Sequence, residues 1–201
     1  MDSRSPCYER ILDLAPFRNA AAKNRPAHGT GLGVVKNFAF AQLPTLPEFP
    51  KTNLKKHSVD PDEIRSGGPP RDGIPSLDKL RFAAVANAPA YLNPRYPVVS
   101  HDNDPRAYPI SILIWHETVN DEVGGLPVTV TFCPLCNATV VFDHRVADRI
   151  LDFGTTGRLR KSDMFIYDRQ METWWQQFTC MDIVGDLTDV ESKQIPASTV
   201  A

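Results

Sequence analysis

Two cysteines separated by two residues, Cys133-Pro134-Leu135-Cys136, are the chemistry-bearing feature of this chain. That spacing lets both sulfurs turn to one side, close enough to bridge or to hold one metal ion. Pro134 fixes its own φ and stiffens the turn between them. The thiolate is the reactive form, and CxxC geometry lowers a thiol pKa below the free value of about 8.5. Three chemistries fit the pair. The cysteines are two ligands of a metal ion, a dithiol that cycles to a disulfide, or small apolar side chains buried in a turn.

A metal ion needs further donors. A second CxxC is absent, which argues against a zinc ribbon. His116, His144 and Cys180 are the candidate extra ligands, and His116 completes a set with Cys133 and Cys136. Thiolates with imidazole suit one zinc or copper ion. The alternative is a thiol–disulfide oxidoreductase or other cysteine-dependent enzyme, with Cys133, Cys136, His116 and Glu117 as its catalytic candidates. His116 follows an apolar run, and a neutral imidazole serves as ligand or as general base near neutral pH. The plainer reading of His116 is a ring bonded to a backbone carbonyl. Glu117 can orient the imidazole or take a proton itself. In thioredoxin-type sites CxxC usually opens a helix. Here Ala138 to Phe142 reads as a strand, so the helix N-terminus that would stabilise a thiolate is missing.

The remaining polar residues carry less. Asn120 and Asp121 fall in an expected hairpin loop, where both types are common for turn reasons alone. Arg106 and Tyr108 point either to a shared pocket or to a surface charge. Ser162-Asp163 follows Arg158, Arg160 and Lys161, a loop able to bind an anion or simply to be solvated. Asp168-Arg169 reads as an ion pair closing a turn. Trp174 and Trp175 are adjacent, so in a strand one is expected to face inward and the other outward. The outward one is the hint for a third reading, a noncatalytic structural or interaction domain.

These residues need a scaffold. The 201 residues carry a net charge of -2, with 42% hydrophobic and 23% charged residues. That suits a single folded domain. The near-neutral balance and the lack of a basic patch argue against nucleic acid as a partner. A small molecule or a metal is the expected ligand. No apolar run is long enough for a transmembrane helix. Ala39-Phe40-Ala41-Gln42 has the look of a signal-peptidase site, but Lys23 to Asn37 before it is polar and lacks an apolar core, so no signal peptide is read. Residues 1–58 read as a flexible or weakly ordered arm, and 59–201 as one domain.

Within that domain, Ser66 to Gly73 is a loop. Ser76 is a plausible N-cap for a short helix through Phe82. Tyr96 to Ser100 and Arg106 to Pro109 read as strands around a turn at Asp102 to Pro105. Ile110 to Trp115 reads as a short helix, because Pro109 suits a first turn. Asn120 to Gly125 is read as a loop between Thr118-Val119 and the strand Val128 to Phe132. Ala138 to Phe142, Arg149 to Phe153, Met164 to Tyr167 and Trp174 to Phe178 follow as strands, with Gly154 to Gly157 as a loop. The expected class is α+β, mostly β, with short antiparallel strands and few helices.

Several motifs occur in one order. They are Ser66-Gly-Gly-Pro-Pro-Arg-Asp-Gly-Ile-Pro-Ser-Leu-Asp, Arg106-Ala-Tyr-Pro, Trp115-His-Glu-Thr-Val-Asn-Asp, Phe132-Cys-Pro-Leu-Cys, Phe153-Gly-Thr-Thr-Gly-Arg-Leu, Ser162-Asp163 and Tyr167-Asp-Arg-Gln. From about Val59 onward the chain resembles the DUF3179 family, an uncharacterised prokaryotic domain of unknown function. The resemblance implies no reaction, and it implies an exported or lipid-anchored setting. Cys180 stands where similar proteins usually carry glycine. The resemblance also implies a further block beyond Ile195 to Ala201, hence a domain truncated at its C-terminus.

Overall fold

The computed structural model describes residues 10–12, 46–78, 80–87 and 96–200. In chain order the strands are β1 (Arg10–Leu12), β2 (Ile64–Ser66), β3 (Phe82–Ala84), β4 (Tyr96–His101) and β5 (Asp104–Ala107). Helix α1 (Ile110–His116) precedes β6 (Thr118–Val123), β7 (Leu126–Cys133) and β8 (Ala138–Asp143). Then come β9 (Arg145–Val146), β10 (Arg149–Ile150), β11 (Phe153–Arg160) and β12 (Asp163–Asp168). The last are β13 (Trp174–Gln176), β14 (Met181–Val184) and β15 (Ser198–Val200). Strands dominate and pair mostly antiparallel, which agrees with the mostly β expectation. No helix among the described residues is long and apolar enough to cross a membrane.

The sheets form layers. β6-β7-β8 is a three-stranded sheet, and β14-β13-β12-β11-β2 is a five-stranded one. Strand alternation sends Val128, Val130 and Phe132 of β7 into a first core with Ile112 and Leu113 of α1. Cys133 of β7, with Val140 and Phe142 of β8, enters a second core shared with Phe153, Met164, Ile166 and Trp175. The opposite face of the five-stranded sheet supplies Phe165, Tyr167 and Trp174 to a third core. Leu46 and Phe49 close that third core, and Phe49 meets the rings of Tyr167 and Trp174 edge-on. Part of the expected arm therefore packs on the domain: residues 46–58 cover a sheet face and Leu12 is fully buried. The other residues before 46 lie outside the described set.

Several local expectations are corrected. The stretch after Ser76 is not helical, because Leu77 pairs its backbone with Thr118 and Asn120 and is buried there. The β6–β7 loop is only Gly124-Gly125, both at positive φ, so Asn120 and Asp121 lie in β6. A Cβ at Gly124 would collide with the His101 carbonyl. Gly154 to Gly157 is not a loop but part of β11. The Cβ position of Gly157 is taken by the Pro69 carbonyl, and a Cβ at Gly154 would strike Asp72 and the Tyr167 ring. These glycines admit the 66–73 loop against the strand. Arg149 to Phe153 is not one strand: β10 ends at Ile150, and β11 opens at Phe153. Trp174 and Trp175 do take opposite faces, but both are buried, because the sheet is covered on both sides.

Asp168 is not an exposed ion-pair partner of Arg169. It is fully buried and accepts the backbone N–H of Met171 and Thr173 and the Thr173 hydroxyl. Arg169 instead pairs with Asp78 at 2.9 Å. Next to this network, Asp182 is buried, and its Oδ2 accepts no hydrogen bond among the described residues. Burial first, then the charge of Asp168, pushes its carboxyl up to about 8, against bonds from Thr173 and the Val184 N–H. Its folded pKa thus lies above the unfolded value of about 3.9. The stability held by the neutral acid is full below about pH 4 and is lost as pH rises towards 8. Asp182→Asn should remove that slope, on the order of 1 kcal/mol per pH unit. Urea melts at pH 5 and pH 8 should show the variant gaining on the wild type as pH rises; equal gaps at both would refute this.

Candidate functional site

The turns that end two hairpins meet at the edge of the second core. β7 and β8 end their pairing at Cys133 and Ala138, so residues 134–137 form the connecting turn, with Asn137 at positive φ. β11 and β12 pair Arg160 with Asp163, which leaves a two-residue turn, Lys161-Ser162, with both residues at positive φ. That geometry matches the right-handed twist of the flanking strands. It also brings the Ser162 carbonyl and the first side chain of β12, Asp163, to the cysteines.

The sulfurs of Cys133 and Cys136 are 2.9 Å apart. The Cys136 thiol donates to the Ser162 carbonyl at 2.9 Å, and the Cys133 thiol lies 3.6 Å from the same oxygen. A carboxylate oxygen of Asp163 and the two sulfurs all lie within 4.8 Å of one another. Cys133 and Asp163 are buried, whereas Cys136 is partly exposed. Asp163 is 3% exposed. Its Oδ2 accepts the Phe178 N–H at 3.1 Å, and its Oδ1 accepts no hydrogen bond of normal geometry among the described residues. Burial raises the Asp163 carboxyl, opposed by the Phe178 N–H, the Gln176 side chain and the Met164 N–H. The Cys136 thiol is pushed up to about 12, first by burial, then by Cys133 and by the charge of Asp163. Each of these causes disfavours an added negative charge.

Among the described residues the third group at the cysteines is the Asp163 carboxylate and not an imidazole. His116 lies outside the cluster; its Nδ1 sits 2.8 Å from the Pro75 carbonyl oxygen, the plainer of its two expected roles. Glu117 caps α1 in the left-handed conformation, and burial pushes its carboxyl up to about 7. It too stands outside the cluster. His144 is buried with Nδ1 3.1 Å from the Thr129 hydroxyl, and burial lowers its pKa. Cys180 is buried in the second core, its thiol pushed up to about 11 by burial, and it is not part of the group. Cys7 lies outside the described residues.

The other polar candidates are engaged elsewhere. Arg106 bridges Asp104 and Asp121, each at 2.7 Å, and the Tyr108 hydroxyl donates to Asp121 at 2.6 Å. Arg160 pairs with Glu63 at 2.6 Å, so the cations before Ser162 do not form a free anion cradle. Asn120 was given little weight as a turn residue, yet it bonds across two sheets. Its side chain donates to the Phe153 carbonyl at 2.8 Å and accepts the Phe153 N–H at 3.0 Å, linking β6 to β11. Gln177 donates to the Thr131 hydroxyl and the Ala138 carbonyl, linking the turn after β13 to β7 and β8.

Asp163 was noted in the Ser162-Asp163 motif, but its place beside the cysteines was not read from the sequence. The signal was present in the two-residue spacing between β11 and β12, which fixes Asp163 as the first residue of its strand. Asp163→Asn removes one of the charges that raise Cys136. The Cys136 thiol should titrate lower than in the wild type, read as faster alkylation at a fixed mildly alkaline pH; an unchanged rate–pH profile would contradict the assigned contact.

A family model described as protein of unknown function (DUF3179) matches residues 71–201, well over half of the chain. No curated protein matches it, and no solved structure matches it.

Proposed function

We propose that this chain, which belongs to the DUF3179 family, binds one metal ion through the thiolates of Cys133 and Cys136 and the carboxylate of Asp163. The reading is carried by a buried carboxylate, one of whose oxygens accepts no hydrogen bond among the described residues, gathered with two free thiols. Three groups that are anionic when ionised repel one another in a buried setting. A cation between them reverses that balance and draws the protons off the thiols.

The donor set narrows the metal. Two sulfurs alone would suit copper(I), while sulfur with a carboxylate oxygen suits zinc. Zinc at about 2.3 Å from each sulfur in a tetrahedral site needs the sulfurs about 3.8 Å apart. Cys136 therefore swings outward on its partly exposed turn as the ion enters. Three protein donors would leave a fourth position for water or a small ligand. His116 takes no part.

The test is zinc content after loading under reducing conditions and removal of unbound ion. One zinc per chain is expected. Cys133→Ser and Asp163→Ala should each weaken binding by more than the about 10–100-fold that a second-shell change costs. His116→Ala should retain wild-type affinity. A wild-type chain with no stoichiometric zinc, or an Asp163→Ala variant that binds as tightly, would overturn the reading.

A further inference from the structure

Resting on that metal reading, we infer that Cys133 and Cys136 are also a reversible dithiol–disulfide couple, whose oxidation by a low-molecular-weight disulfide releases the ion. The two sulfurs already touch, at 2.9 Å, within one short turn stiffened by Pro134. Their exposure differs. Cys136 is partly exposed, while Cys133 is 1% exposed in the second core. An external disulfide therefore meets the Cys136 sulfur first. In the metal-free pair the Cys136 thiol donates to the Ser162 carbonyl with the Cys133 sulfur 2.9 Å away, and both sulfurs stay on the one short turn when the ion is held, so the resolving sulfur is a neighbour before the first bond forms.

The chemistry balances within this cast. The Cys136 sulfur attacks one sulfur of a disulfide RSSR, its S–S bond breaks, and one RS⁻ leaves. The Cys133 sulfur then attacks Cys136 of the mixed disulfide and expels the second RS⁻. The two thiol protons leave on two RSH, or were already lost when the metal bound. The protein pair is oxidised by two electrons and RSSR is reduced by two, with no redox change at zinc. Two of the three protein donors become a neutral disulfide, and Asp163 alone does not hold the ion. Cys180, buried on a different turn, is a bystander.

The test uses the full zinc-loaded chain with excess glutathione disulfide and a chromogenic chelator. Zinc should appear in step with the loss of two thiols, a Cys133–Cys136 crosslink should be found by peptide mapping, and dithiothreitol should reverse both. Cys133→Ser should stop as a glutathione adduct on Cys136. In Cys136→Ser, modification of Cys133 should be at least about tenfold slower, because that sulfur is shielded. A chain that binds zinc yet keeps both thiols would overturn the couple alone, as would equal modification rates in the two serine variants. A chain that forms the crosslink without ever binding zinc would overturn the metal reading and leave the couple standing.

Discussion

Two side-chain amides hold the layers of this protein in register. Asn120 reaches from β6 and binds both backbone groups of Phe153 in β11. Gln177 reaches from the turn after β13 to Thr131 and Ala138. Three of these four contacts are buried, and the one from Gln177 to the Ala138 carbonyl is part-buried. The Asn120 amide is bonded through both its oxygen and its nitrogen, while Gln177 is bonded through its nitrogen only, its Oε1 having no partner among the described residues. The cysteines come from one sheet, and Ser162 and Asp163 from the other. Their meeting is therefore set by how the sheets are clamped, not by either hairpin alone.

The rest of the packing follows from the same requirement. β12 and β13 bury side chains on both faces, and Trp174 and Trp175 anchor the third and second cores respectively. Fully burying such side chains supplies most of the stabilisation, at roughly 25 cal/mol per Å² of apolar surface. Polar groups in these layers need internal partners, which Asp168 finds in Met171, Thr173 and Trp175. Asp163 Oδ1, like Asp182 Oδ2, lacks such a partner among the described residues, and it alone of the two lies beside the cysteines.

The sequence exposed what local physics decides. Runs of β-branched and aromatic residues marked β7, β8 and β12, and an apolar run behind Pro109 marked α1. The CxxC pair marked one half of the site. The other half is 26 residues away in the chain and arrives only through tertiary packing. Histidine was favoured as third ligand on residue type, yet the His116 ring is drawn to a carbonyl of the 74–78 segment. Glycine in Gly154 and Gly157 signalled a turn, although its purpose is to let another backbone approach a strand. Asn120 was discounted as a turn former because its long-range bonds have no signature in the neighbouring residues. An outward tryptophan was expected because adjacent strand residues take opposite faces. That both faces are covered depends on Leu46 and Phe49, whose sequence context carries no regular period.

A centre assembled from two separately built layers behaves like a vernier. Sliding one sheet over the other leaves each hairpin intact but parts the sulfurs from the carboxylate and from the Ser162 carbonyl. The spacing at the cysteines thus records shear between layers that other surface features would not show.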